Sequence, residues 1–245
     1  MVPTRRTLLR TGSAATLGLA MPGCVAATRG TPATNPPAPA SSPMTPYAPQ
    51  PLPFDPAHVP GLSEALLRSH HDNNYVGAVK KLNAARARLA DVSSQTPGFV
   101  LHGLSQAELA FKHSVVLHEL YFGNLVGGGA PATATQTLLS EHFGGAAAWE
   151  ERFAALGASL GGGSGWAVVE YDLHQRMPRM YSAADHTQGL SSGVPLLVLD
   201  MYEHSYHMDY GTAAKKYIAA FFANLNWQEV DRRTELALQI AAAPV

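Results

Sequence analysis

The sequence has a single cysteine, Cys24, among its 245 residues, so no intrachain disulfide can staple the fold. Charged residues are scarce at 14%, and they nearly cancel to a formal net charge of −1. No basic stripe or aromatic ladder runs through the chain, which argues against nucleic acid as a partner. A membrane-spanning run is also missing, because the apolar stretch at residues 11–21 is too short and too rich in glycine. No internal repeat is visible. What stands out is histidine, with eleven copies, and the search for chemistry therefore starts there.

The first fifty residues do not read as folded protein. Arg5, Arg6 and Arg10 make a short basic start, residues 11–21 an apolar middle, and Gly23, Cys24, Val25, Ala26 and Ala27 a small-residue end. That order describes a secretory signal peptide over residues 1–27, and the paired arginines favour the twin-arginine route. The chain is therefore expected to be exported, to the periplasm or beyond. Cys24 sits where a lipoprotein carries its lipidated cysteine, but Pro22 suits that motif poorly, so removal with the signal is the expectation. Residues 28–50 are dominated by Pro, Ala, Thr and Ser, a composition that buries no core and reads as a stiff tether. Removing residues 1–26 takes away three arginines and no acid, which moves the formal charge from −1 to −4.

Folded sequence is expected from residue 51. Ser63 is a candidate N-cap for a helix over residues 63–90, with Leu66, Leu67, Val79, Leu82 and Leu89 among its apolar positions. Pro97 and Gly98 break the pattern, and a second helix is predicted over residues 105–125, ended by Gly127, Gly128 and Gly129. Two long helices with a short connection make an antiparallel hairpin, taken as a first lobe over residues 51–130. The second lobe, 131–245, is mixed. Shorter helices are predicted at 132–140 and 146–160, strands at 166–171, 179–182 and 195–199, and terminal helices at 213–226 and 227–242. Helices grouped around a few adjacent strands indicate an α+β fold.

Four segments carry candidate chemistry: His70 with His71, His118 with Glu119, His186, and Asp200 with His204. Asp200 and His204 are four apart, so a helical turn would bring them to one side. A carboxylate at the end of a buried apolar strand is costly without a partner, and a metal would supply one. Three imidazoles and a carboxylate suit iron, manganese or zinc. Spacing alone leaves the alternative of hydrogen-bonded core histidines open, and it does not choose the metal. The zinc-protease helix motif is absent, since position 122 is Phe rather than His.

The local wording says more. Residues 195–206 read Pro-Leu-Leu-Val-Leu-Asp-Met-Tyr-Glu-His-Ser-Tyr, which resembles the Asp-x-Trp-Glu-His-Ala-Tyr signature of iron/manganese superoxide dismutases. Gly163, Ser164, Gly165 and Trp166 match that family's strand start. Tyr217, Ile218, Phe221, Phe222, Asn226 and Trp227 match its last helices. Residues 62–85 follow its first helix without a gap. The resemblance covers about residues 52–227. It implies a helical hairpin followed by a lobe with a three-stranded antiparallel sheet, and one iron or manganese ion per subunit held by His70, His118, Asp200 and His204. It also implies superoxide as substrate and a homodimer, with a tetramer as the alternative. Glu203 falls on the glutamate that reaches across the dimer interface to the partner subunit's metal-bound histidine, the kind of contact that fixes a ligand's tautomer. Trp166 falls on an aromatic wall of the site. Twin-arginine export, which carries folded proteins, suits a domain that takes up its metal in the cytoplasm.

Several positions depart from the family pattern, and they cluster around the site. His186 stands where a glutamine usually hydrogen-bonds the solvent on the metal. Asn74 and Ala78 stand at the gateway histidine and tyrosine, His207 at the tyrosine after Tyr206, and Tyr202 at the usual tryptophan. Tyr75 is a candidate phenol near the channel, with the alternative that its position one residue past Asn74 turns it elsewhere. These changes touch proton supply and substrate entry rather than metal ligation. Two other readings compete: a catalytically weak metal-binding or interaction protein on the same scaffold, and a hydrolytic zinc enzyme with Glu119 or Glu203 as base.

Overall fold

The computed structural model describes residues 45–243. The predicted signal peptide, Cys24 and the tether up to residue 44 lie outside the described residues. Ser63 caps the first helix as its side-chain oxygen accepts from the Leu66 N–H at 3.1 Å. α1 (Glu64–Ser69) passes through a π-helical turn (His70–Tyr75) into α2 (Val76–Ala90) with helical backbone angles at both junctions. The wider turn buries both His70 and Tyr75, and such turns recur at functional sites.

α3 (Gly98–Gly123) begins seven residues earlier than predicted. Pro97 and Gly98 do not separate the helix from a loop. Pro97 is extended at its N-terminus, and its carbonyl accepts from Val100 and Leu101 at 2.9 and 3.1 Å. A proline at a helix start loses no intrahelical bond. The end of the expected tether also differs, because Tyr47 lies against the hairpin. Its N–H donates to Asn83 Oδ1 at 2.9 Å and its hydroxyl to Glu119 at 2.9 Å.

The second half carries α4 (Thr133–Phe143), α5 (Ala146–Ser159), β1 (Trp166–Asp172), β2 (Met177–Ala183), β3 (Gly193–Asp200), α6 (His207–Tyr210), α7 (Ala214–Ala223) and α8 (Trp227–Ala242). The strands form an antiparallel sheet in the order β2-β1-β3. Every residue of β1 is buried, and helices α3, α5 and α8 pack on the sheet. Cover of this kind explains why β3 reads as an unbroken apolar run rather than an alternating one. The α+β architecture expected from the sequence is present.

Two buried side chains fasten the hairpin to β3. Asn124, just past α3, donates to the Leu196 carbonyl at 3.3 Å and accepts from the Val198 N–H at 3.0 Å. Arg233 of α8 donates to Asn124 Oδ1 at 3.2 Å, to the Leu120 carbonyl at 3.1 Å and to Glu229 at 2.8 Å. Gly123 leaves room for that guanidinium, since a Cβ there would lie 2.7 Å from Arg233 Nη2. These ties hold α3, which carries His118, beside β3, which carries Asp200.

Candidate metal centre

His70 opens the π-helical turn, His118 lies on α3, Asp200 ends β3, and His204 sits in a 3₁₀ turn (Glu203–Ser205). One potential ligand atom from each falls within 4.8 Å of all the others. Asp200 Oδ2 is the hub, 3.0 Å from His70 Nε2, 3.3 Å from His204 Nε2 and 3.8 Å from His118 Nε2. Asp200 and His204 meet through a chain reversal and one 3₁₀ turn, not through the α-helical turn that their spacing suggested.

Contacts behind His118 and Asp200 aim their ligand atoms, whereas His70 Nδ1 is buried without a hydrogen-bond partner. His118 Nδ1 donates to the Ser114 carbonyl at 2.6 Å, which puts the ring proton on Nδ1 and leaves the Nε2 lone pair facing Asp200. Asp200 Oδ1 accepts from the Tyr202 N–H at 2.8 Å, so Oδ2 is the oxygen left for the histidines. The Asp200 carbonyl takes hydroxyl donors from Tyr217 and Ser205, both at 2.8 Å. Nε2 of His118 and of His204 is buried without a hydrogen-bond partner, an arrangement that is costly unless something else occupies those lone pairs.

Electrostatics agree with that need. Burial lowers the His118 pKa to about 3, and the neighbouring His70 ring adds to the effect. Burial lowers His70 as well. Burial alone would raise Asp200, but the His204 and His70 rings outweigh it and hold the carboxyl far below the usual range. Near neutral pH Asp200 is a carboxylate and the His70 and His118 rings are neutral, the forms that bind metal. A mixed nitrogen and oxygen set of this size fits iron or manganese.

A family model described as iron/manganese superoxide dismutases, C-terminal domain, matches residues 131–233. Superoxide dismutase [Fe] of Cupriavidus metallidurans is 45% identical over 184 residues, covering 75% of this chain and 93% of the relative. Superoxide dismutase [Mn] 2 of Haloferax volcanii is 33% identical, with 74% and 91% covered, and superoxide dismutase [Fe] of Aquifex aeolicus is 33% identical, with 74% and 88% covered. The chain belongs to the iron/manganese superoxide dismutase family. Alignments of this breadth take in the hairpin as well as the sheet lobe.

Around the four residues this dismutase-family chain builds an aromatic shell. Trp166 is fully buried, sets its ring edge against His118 at 5.2 Å, and donates from Nε1 to His186 Nδ1 at 3.0 Å. His186 stacks on Tyr202 at 4.8 Å, and Tyr202 stacks on His204 at 5.4 Å. Burial lowers the pKa of His186. A pocket of about 200 Å³, lined by Asn74, Ala78 and Phe111, reaches the rings of His118, His186 and His204. Tyr206 is buried, stacks on Tyr217 at 5.2 Å and accepts from the Gly162 N–H at 3.3 Å.

Other sequence candidates lie apart. The Tyr75 phenol donates to Glu119 at 2.6 Å and does not line the pocket. Glu119 is engaged by Tyr47 and Tyr75, so it is not free to serve as a base for the hydrolytic alternative. Glu203 and His207 are exposed, and among the described residues no hydrogen bond to the Glu203 carboxylate is found. Sequence reasoning missed three contributors. Ser114 was detectable as the residue one turn before His118, whereas Tyr217 and His113, which donates to the His186 carbonyl at 2.8 Å, meet the site only through the fold.

Proposed function

We infer that the chain is a superoxide dismutase using one iron or manganese ion per subunit, held by His70, His118, Asp200 and His204. The convergence of four ligand atoms within 4.8 Å, two of them buried nitrogens with no other partner, carries this reading. The 45% identical relative named for iron favours iron. Iron or manganese held by these residues would supply one-electron redox chemistry, by which two superoxide ions and two protons would give oxygen and hydrogen peroxide. The chain's own residues do the rest. Asp200 and the three rings fix the binding geometry. Because His186 accepts from Trp166 at Nδ1, its proton resides on Nε2, and the ring faces the pocket as a neutral hydrogen-bond donor. Phe111 lines the pocket, and Trp166 and Tyr202 set aromatic rings against His118 and His204.

Glu203, exposed in a single chain, supports a homodimer in which it reaches a metal-bound histidine across the interface. Glu203→Gln should then weaken dimerisation and lower metal retention by roughly 10–100-fold, as loss of an outer hydrogen bond to a ligand does; a dimer of unchanged affinity in sedimentation would refute that role. The paired arginines and apolar run of residues 5–21 support export, and detection of mature protein outside the cytoplasm tests it. For the activity itself, apo-protein is loaded with iron or manganese alone. Superoxide removal proportional to bound iron or manganese is expected, and full occupancy without activity would return the chain to a metal-binding scaffold.

A further inference from the structure

The pocket that reaches the ligand rings has an unusual wall. Ala78, only 6% exposed, contributes a single methyl group. Lys81, one helical turn further along α2, lines the same pocket, and no carboxylate side chain does. Its ammonium lies 5.8 Å from the centre of the Phe111 ring. A cation–π contact of that kind keeps a lysine poised over a surface without neutralising it. Among the described residues Lys81 has no ion-pair partner, whereas nearby Asp72 engages His71 and Glu108 engages Arg86. The remainder of the chain works the other way. Without residues 1–26 it is formally −4, so an approaching anion meets on average a repelling surface.

We propose that Lys81 draws the anionic substrate into the pocket left open by Ala78 and sets which small inorganic anions reach the ligand rings. This rests on the dismutase reading, since superoxide is the anion concerned. A single cation at the mouth of a narrow pocket focuses attraction where it is needed, and salt screens its effect.

The test uses the metal-loaded full chain and its Lys81→Gln, Lys81→Arg and Lys80→Gln variants, with metal content measured on each sample. Two readouts are taken: kcat/KM for superoxide as a function of ionic strength, and azide binding followed by visible absorption. At low salt Lys81→Gln should lose roughly 3–10-fold in both, and the difference should fall below about 2-fold at high salt, where the screening length is a few ångströms. Lys81→Arg should retain both properties, and Lys80→Gln should behave as the parent. Parental azide affinity and an unchanged salt slope in Lys81→Gln would overturn the proposal, as would loss of metal in that variant. If the parent holds metal yet removes no superoxide, the dismutase reading fails, while the azide titrations still decide the role of Lys81.

Discussion

Asp200→Asn separates metal binding from folding more cleanly than any other single change. The carboxylate uses Oδ1 for the Tyr202 N–H and offers Oδ2 to three imidazole nitrogens between 3.0 and 3.8 Å away. Asparagine must keep its carbonyl oxygen toward the Tyr202 N–H, because the flipped amide would set donor against donor. Its NH₂ group then points at His70 Nε2, where it can donate. The apo-protein therefore exchanges a charge-assisted hydrogen bond of about 1.5–3 kcal/mol for a neutral one of about 0.5–1.5 kcal/mol. It also sheds the cost of a buried charge, several kcal/mol before pairing. The two effects oppose, so apo stability should change by no more than about 2 kcal/mol, or about 8 °C at 2–4 °C per kcal/mol. Metal affinity behaves differently. Losing an outer hydrogen bond to a ligand costs roughly 10–100-fold, and this change removes a ligand and its charge while aiming a donor at the site, so at least about 1,000-fold is expected. Calorimetry with and without metal reads both quantities: the apo transitions differ by no more than about 8 °C, and the metal-induced rise disappears in the variant. Stoichiometric metal at parental affinity in Asp200→Asn would refute the ligand assignment.

Three other outcomes follow from the same geometry. Trp166→Phe deletes the donor to His186 Nδ1 and frees the ring's tautomer; at about 0.5–1.5 kcal/mol for that bond, kcat/KM should fall about 2–10-fold with metal retained, and unchanged activity at equal metal content would contradict it. Arg233→Met leaves Asn124, Leu196 and Glu229 with remaining partners, so its cost should lie near the low end for a broken buried pair, about 3 kcal/mol, seen as a lower denaturation midpoint; no change would mean the tie between α3 and β3 lies elsewhere. Acid should destabilise the apo-protein well above the carboxylate range. His118 keeps its ring neutral in the fold down to about 3, whereas the unfolded chain takes up a proton near 6.5, so stability is lost as pH falls between those values. That one ring accounts for about 2 kcal/mol between its unfolded pKa of 6.5 and about pH 5. Denaturant titrations that show no fall over this range would contradict its burial as a neutral group.

The fold class was legible because its signals were local and unambiguous: the Ser63 cap, the apolar run of β3 and the glycines after α3. The start of α3 was not, because Pro97 and Gly98 have the same composition whether they end one helix or begin the next. Tyr47 was hidden inside a proline-rich stretch whose neighbours carry no apolar pattern. At the site, His70, Asp200 and His204 could be named from the wording around them, but not the atoms that aim the site's ligands. Ser114 acts through its backbone carbonyl, which leaves no trace in its side-chain identity. Tyr217 reaches the Asp200 carbonyl from 17 residues away by packing alone. Tyr75, one residue past Asn74, was open to facing the channel or away from it, and the π-helical turn directs its phenol to Glu119.

Anomalous diffraction from crystals of the metal-loaded protein, collected at the iron and manganese edges, tests the central claim most directly. One peak per chain is predicted, bounded by Nε2 of His70, His118 and His204 and by Asp200 Oδ2, a nitrogen and oxygen donor set that suits iron or manganese. A peak at any other residues, or zinc alone in these four, would contradict it.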